Sequence, residues 1–285
     1  MSSLAARGRR RWASALTYAA VTPFVLFALF PFYYMVVTSL KGDPELYDLD
    51  SVPYWIGQGV TLRHYVFLLT ETLFPRWFWN TLFVSVMTVV ISVAVGILAA
   101  YAVARLRFRG VATFGVGIFI TYLVPPALLF IPLAIVVTQL GLADTPWALI
   151  VTYPTFLVPF NTWLLMGYFR TIPREIEECA MIDGCNRLQA LVRIVLPVAL
   201  PGIVCAILFS FTFSWNEFLY ALVFVSSGVN KTITVGVTSE LIRGDIYFWG
   251  SLMAGGIIGA LPIVVAYVFF LDYYVSGLTG GAVKG

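Results

Sequence analysis

Long apolar stretches, separated by short segments that carry the charges, dominate the sequence. Six stretches contain no charged residue: 12–40, 82–103, 111–140, 147–169, 198–216 and 248–271. A helix that rises 1.5 Å per residue needs about 20 apolar residues to cross a hydrocarbon core about 30 Å thick. Apolar residues occupy all faces of these stretches, whereas transmembrane β-strands alternate in polarity over about 10 residues. The pattern predicts an all-α integral membrane protein with six transmembrane helices.

Composition agrees with this prediction. Hydrophobic residues make up 60% of the 285 residues and charged residues only 11%, whereas a soluble domain carries about 25% charged residues. Most of the surface is therefore expected to face lipid. Four arginines precede the first apolar stretch, as in a signal peptide, but the stretch is too long for one and we expect a retained helix at 12–40.

Basic residues favour the cytoplasmic loops of membrane proteins, so their distribution predicts orientation. With the N-terminus inside, the inner segments hold twelve basic residues: Arg7, Arg9, Arg10, Arg11, Arg105, Arg107, Arg109, Arg170, Arg174, Arg187, Arg193 and Lys284. The outer segments hold five: Lys41, Arg63, Arg76, Lys231 and Arg243. We therefore expect both termini in the cytoplasm. This topology explains the net charge of +3, which does not indicate a nucleic-acid partner.

Residues that could do chemistry are scarce. Cys179, Cys185 and Cys205 form no CxxC pair, so neither a metal site nor a disulfide framework is expected. A phosphate-binding loop needs a lysine after a glycine, and none of the lysines follows a glycine. The chain is therefore predicted to have no catalytic residues and not to bind ATP through such a loop.

The segment 170–197 is the largest predicted inner loop, and its pattern predicts two short helices. Pro173 suits the start of the first helix, acidic residues favour its N-terminal end, and Asp183-Gly184 can end it. Apolar or small residues recur at helical spacing on each helix. They are Ile172, Ile176, Cys179 and Ala180 on the first and Leu188, Leu191, Val192, Val195 and Leu196 on the second. We expect the two helices to meet at a glycine turn below the membrane.

This loop resembles the signature of the inner-membrane subunits of ABC importers. That signature is Glu-Ala-Ala, three residues, Gly, nine residues and Ile-x-Leu-Pro. The chain has Glu178-Cys179-Ala180, then Gly184, then Ile194-x-Leu196-Pro197, with both gaps of the same length. Cys179 is the one departure, a small residue in place of Ala. The resemblance is greatest to carbohydrate importers of the maltose type, through GLADTPWALIVTYP, WNEFLYAL, KTITVGV and the ending GLTGGAVKG.

The resemblance implies a type I ABC importer permease fold, with a core at 76–272 and a cytoplasmic tail at 273–285. It also implies that the loop is a coupling helix that docks on a cytoplasmic ATPase dimer. The expected docking residues are Glu177, Glu178, Cys179, Ala180, Asp183, Gly184, Ile194, Leu196 and Pro197. The ATPase would bind ATP and Mg, and the permease no cofactor or metal. The other implied partners are a second homologous permease, an extracytoplasmic solute-binding protein that delivers a sugar, and membrane lipid.

Prolines and polar residues within the spans are candidates for a translocation pathway. Prolines at 125, 126 and 132 break the third span, either as a simple kink or because it lines the path. Glu217 is predicted near the outer end of the fifth span, as a gate or as an anchor for the following loop. The pathway candidates are Pro125, Pro126, Asn161, Trp215, Asn216 and Glu217.

Two other classes of membrane protein compete with this interpretation. A self-sufficient secondary transporter needs ionisable groups near the bilayer centre or inverted repeats, and the sequence shows neither. An intramembrane enzyme needs a Ser–His pair, paired acids or metal ligands in its spans, and the single histidine, His64, lies in a predicted outer loop. Both are less consistent with the sequence than a permease subunit.

Overall fold

The computed structural model describes residues 2–244 and 246–274, with side chains from residue 14 onward. It is almost entirely helical. The first part contains α1 (Ser2–Leu40), α2 (Asp43–Leu46), α3 (Arg63–Thr70), α4 (Phe74–Arg105), α5 (Val111–Leu123), α6 (Pro126–Gln139), α7 (Pro146–Thr152) and α8 (Pro154–Thr171). The second contains α9 (Arg174–Ile182), α10 (Arg187–Ala190), a π-helical turn (Leu191–Val195), α11 (Leu196–Val198), α12 (Leu200–Trp215), α13 (Leu219–Phe224), a 3-10 turn (Gly228–Asn230), α14 (Ile233–Glu240), the hairpin β1 (Ile242–Arg243) and β2 (Ile246–Tyr247), and α15 (Trp249–Phe269).

Among the described residues, four helices are long and apolar enough to cross a membrane, and the number rises to the predicted six if each of two bent helix pairs is one span. Four cross as single stretches: Ser14–Leu40, Phe74–Arg105, Pro146–Thr171 and Trp249–Phe269. Two more are bent pairs, Val111–Leu123 with Pro126–Gln139 at 95° and Arg187–Val198 with Leu200–Trp215 at 81°. The third span is therefore sharply broken at Val124–Pro125, and the bend is larger than a simple kink. Two consecutive prolines remove two backbone donors there, so the helical ladder cannot continue.

The chain forms two compact units, one built from 1–72 and Glu240–Gly259, the other from Leu73–Ser239 and Ala260–Gly285. In the larger unit, α4 packs against α8 and α12. Small residues allow these helices to approach closely: a Cβ added at Gly96 would lie 2.7 Å from the Cβ of Asn161, and one at Gly202 would lie 2.5 Å from the Tyr168 ring. Close approach at small residues is how helices associate in membranes.

The smaller unit contains the loop after the first span, which the sequence predicts on the outer side. Lys41 and Glu45 are both buried and form an ion pair of 3.2 Å. Glu45 also accepts hydrogen bonds from the backbone N–H groups of Gly57 (2.8 Å) and Gln58 (3.0 Å). The Gly57 N–H is the largest cause that lowers the pKa of Glu45; burial opposes it, and Gln58 and Lys41 lower it further. A short helix, α3, lies at the end of this loop.

Candidate functional site: the loop between the fourth and fifth spans

The first half of segment 170–197 is the predicted short helix, α9, which has nine residues. Pro173 occupies its N-cap, and Glu175 and Glu177 lie in its first turn. The helix ends at Ile182, and the turn that follows it contains Gly184, whose φ of 92° is a left-handed conformation that side chains with a Cβ resist. The predicted acidic helix and its glycine turn are therefore both confirmed.

The second half starts with a new helix directly after the glycine turn. The Asn186 side chain accepts from the Gln189 N–H at 2.9 Å, and the Gln189 side chain accepts from the Asn186 N–H at 2.9 Å. This reciprocal pair is a capping box, and it fixes where α10 begins. The chain then continues through the π-helical turn and α11 to the bend before α12. The start of the second helix is thus fixed by this local capping box.

Burial differs from the predicted apolar faces. Ile172, Ala180, Leu191 and Val195 are buried, in or beside the core formed with α4 and α8. Ile176, Leu188 and Val192, predicted to lie on the same faces, are exposed. Each face is therefore only partly covered within this chain. The exposed apolar side chains lie in the same short segment as the exposed members of the predicted docking set.

Glu177 is the predicted docking residue that the structure separates from the others. Its carboxylate is buried and accepts a hydrogen bond from the Tyr101 hydroxyl. The Arg105 Nε lies 3.6 Å from its second oxygen, and the Arg105 guanidinium donates to the Ile172 carbonyl at 2.7 Å. Tyr101 and Arg105 end α4, the second span. These contacts point the Glu177 side chain into the protein, so the prediction that it lies on the docking surface is corrected.

The remaining predicted docking residues fall into two groups. Glu178, Cys179, Asp183, Gly184 and Pro197 are exposed. Ala180 is buried, and Ile194 and Leu196 are half-buried. Because successive residues of a helix are about 100° apart, Glu177 and Glu178 cannot share a face. The exposed face of the loop therefore has Glu178 at one end and the glycine turn at the other.

Sequence reasoning missed Tyr101 and Arg105 as partners of the loop. Arg105 was counted only as an inner basic residue that sets orientation. A signal was present, since α9 has two adjacent glutamates and at most one can face a docked partner. The other then needs a cation or donors within the protein, because a buried carboxylate is costly unless it is paired.

The pathway candidates do not form one site. Pro125 and Pro126 are exposed at the break of the third span, whereas Asn161 and Trp215 are buried. The Asn161 side chain accepts from the Ser210 hydroxyl at 2.9 Å, and Trp215 packs edge-on against Phe78. Asn161 and Trp215 therefore lie within helix packing and do not line an open path in this structure. Asn216 is exposed at the end of α12 and donates to the Thr212 carbonyl at 2.9 Å.

Glu217 has contacts typical of an anchor. Its carboxylate accepts from the Tyr153 hydroxyl at 2.9 Å and from the N–H groups of Tyr220 (2.9 Å) and Ala221 (3.1 Å). Tyr220 and Ala221 lie in the first turn of α13, so Glu217 satisfies backbone donors that the helix leaves free. Of the two roles considered from sequence, these contacts favour the anchor.

Comparison with known structures shows the type of fold. A bacterial ABC transporter involved in the import of the acidic polysaccharide alginate superposes with a TM-score of 0.79 at 23% identity, covering 93% of this chain and 97% of that one. The fold is thus that of a type I ABC importer permease. In the part of the chain that the structure describes, no group of His, Cys, Asp and Glu side chains could hold a metal ion.

The family follows from sequence comparison. Residues 92–279 match the model of the binding-protein-dependent transport system inner membrane component, and the chain belongs to this family. The inner membrane ABC transporter permease protein YcjP of Escherichia coli is 42% identical over 94% of this chain and 95% of its own length. The trehalose/maltose transport system permease protein MalG of Thermococcus litoralis is 34% identical over 91% and 93%. The chain is a permease subunit of an ABC transporter, and not the secondary transporter considered as the alternative.

Proposed function

We propose that this chain is the non-catalytic permease half of a carbohydrate importer, driven from its cytoplasmic side by a separate ATPase dimer. The ATPase would bind ATP and Mg, and this chain would bind neither. A second homologous permease would complete the membrane pore, and an extracytoplasmic binding protein would deliver the solute. The family and the names of several relatives support this proposal, among them the diacetylchitobiose uptake system permease protein DasC of Streptomyces coelicolor, at 33% identity.

The exposed end of the loop carries the proposal. Glu178 and Cys179 are exposed on α9, and the glycine turn lies beyond them. The opposite side of α9 is held to α4 through Glu177 and Arg105. A force applied to the exposed side of α9 would therefore reach the second span through a buried ion pair. This is the arrangement that a coupling helix requires.

The orientation that we propose places this loop and both termini in the cytoplasm. Its support is the distribution of basic residues, twelve against five, because lysine and arginine favour cytoplasmic loops. The core at 76–272 and the tail at 273–285 remain proposals. Residues 275–285 lie outside the described part of the chain.

Charge reversal at Glu178 tests the docking. We expect the Glu178→Lys variant to insert normally. The amount of ATPase that copurifies with it should fall by a factor of about ten or more, since breaking an interfacial charge pair costs about 2–5 kcal/mol. Solute uptake into vesicles should fall in parallel. The matched control is Glu71→Lys, which reverses an exposed glutamate of the outer loop. Normal ATPase retention and uptake in Glu178→Lys would remove Glu178 from the docking surface.

A further inference from the structure

An apolar groove opens on the surface of the larger unit, where α4, α5 and α8 meet. Its volume is about 430 Å³. One charged residue, Arg170, lines it at the end of α8. The apolar lining comes from Val103, Val111, Ala112, Gly115, Val116, Phe119, Trp163 and Met166. No apolar side chain of the described residues fills this space, although it lies between three packed helices.

A basic depression continues the groove at the end of the spans. It has a volume of about 680 Å³ and shares Val103, Val111 and Arg170 with the groove, so the two are contiguous. Arg107, Arg109 and Arg174 line it together with Arg170. Four guanidinium groups therefore surround one end of an apolar groove.

These arginines lack acidic partners among the described residues. Arg105 is paired with Glu177, but no carboxylate lies within 4.0 Å of Arg107, Arg109, Arg170 or Arg174. Arg174 donates one hydrogen bond, to the Ala104 carbonyl at 3.3 Å. Arginine presents a rigid fork of donors that matches phosphate oxygens. Arg107 and Arg174 also line a neighbouring pocket with Glu177 and Glu178. The lining of the depression itself contains no carboxylate, so its charge favours an anion.

The length of the groove fits a lipid tail. Phe119 and Trp163 close its far end, with ring centroids 4.6 Å apart. From Val111 to Phe119 the helix rises about 12 Å at 1.5 Å per residue. Half of a hydrocarbon core about 30 Å thick is about 15 Å. The length of the groove is therefore comparable with the depth of one leaflet.

We propose that this groove and the basic depression together bind one anionic phospholipid. The phosphodiester lies among Arg107, Arg109 and Arg170, and one acyl chain fills the groove down to Phe119 and Trp163. Free phosphate would satisfy the arginines but leave the groove empty, and a zwitterionic lipid would fill the groove but bring a cation to the arginines. An anionic lipid satisfies both parts. The site requires only that the spans lie in a membrane and does not depend on which solute is carried.

Photolabelling in vesicles tests the site. The full-length transporter is reconstituted in phosphatidylcholine that contains phosphatidylglycerol with a photoreactive group at the end of one acyl chain. We expect labelling near Phe119 and Trp163 that exceeds labelling by phosphatidylcholine with the same photoreactive chain. Arg107→Gln/Arg170→Gln should lower it about 25-fold, since a basic residue near an anionic lipid contributes about fivefold. The matched control is Arg187→Gln/Arg193→Gln, which removes two arginines of the predicted inner loop 170–197.

Two further measurements separate the lipid from other occupants. Ala112→Trp fills the groove and leaves the arginines in place, so it should abolish labelling by phosphatidylglycerol. Excess inorganic phosphate should not compete. Equal labelling by the two lipids, labelling elsewhere on the chain, or competition by inorganic phosphate would overturn the proposal. So would an Ala112→Trp variant that loses a companion subunit while its labelling is unchanged, because the groove would then be a protein interface.

Discussion

Glu177 and Glu178 are neighbours in the sequence with opposite surroundings. Glu178 is exposed, while the Glu177 side chain is 7% exposed and paired with Arg105. A buried charge of this kind is stable only while its partner is present. The two residues therefore have different roles. Glu178 faces the proposed partner, and Glu177 attaches the helix to the second span.

Removing the Glu177 carboxylate should destabilise the protein through Arg105. We expect Glu177→Leu to lower the free energy of unfolding by about 3 kcal/mol, because it leaves a buried guanidinium without a counter-charge. Thermal unfolding in detergent gives the change. The double variant Arg105→Leu/Glu177→Leu should recover much of this loss. If the losses of stability in Glu177→Leu and Arg105→Leu simply add in the double variant, the ion pair does not hold the loop.

Glu45, in the loop after the first span, is the second residue with a testable charge state. The pKa of Glu45 is lowered in the folded protein, so its contacts stabilise the loop above its unfolded pKa of about 4.3. That stability is lost as the pH falls through the lower folded value. We expect hydrogen exchange at the Gly57 and Gln58 amides, corrected for the intrinsic rate, to be constant above about pH 5 and to accelerate at lower pH. In Glu45→Gln this acid-dependent step should be absent; the same step in both proteins would assign it to another group.

Broken helices distinguish two of the six spans. The third bends by 95° at a double proline and the fifth by 81° near Ala199. The second and fourth spans pack against each other, and Gly96 lies directly against Asn161. The protein therefore contains one closely packed pair of spans, the second and fourth, and two bent spans, the third and fifth.

A methyl group at Gly96 should separate the second and fourth spans. The added Cβ in Gly96→Ala would lie 2.7 Å from the Asn161 Cβ and 3.5 Å from the Thr162 nitrogen, so backbone must move. We expect a loss of about 1–3 kcal/mol, the usual cost of overpacking, measured by thermal unfolding. Gly117→Ala is the matched control, since nothing lies within 4 Å of its Cβ. Equal melting temperatures for the two variants would contradict the close packing.

The whole molecule has a proposed direction across the membrane, and its native cysteines can report it. Cys179 is exposed on α9, Cys185 is half-buried beside it, and Cys205 is buried in α12. We expect a membrane-impermeant maleimide to label Cys179 in inverted vesicles stripped of peripheral proteins, and not in right-side-out vesicles. In the background of Cys179→Ser/Cys185→Ser, a Gln58→Cys variant should show the reverse. Labelling of Cys179 from outside would invert the proposed topology.

Most of the fold was predictable because its determinants are local. Six apolar stretches of sufficient length predict six spans in lipid, since a spanning segment must satisfy its own backbone. The acidic helix, the glycine turn and the start of the next helix likewise depend on residues within a few positions, namely Pro173, Gly184, Asn186 and Gln189. Family membership also follows from this local spacing, and the match over residues 92–279 confirms it.

Which side chains are free to act was decided by tertiary structure alone. Glu177 accepts a hydrogen bond from Tyr101, 76 positions earlier, and Asn161 accepts one from Ser210, 49 positions later. Glu217 accepts one from Tyr153, 64 positions earlier. Hydrophobic periodicity specifies that a helix forms and how long it is. It does not specify how the helix is rotated against its neighbours, and that rotation decides whether a polar side chain meets a partner or remains exposed.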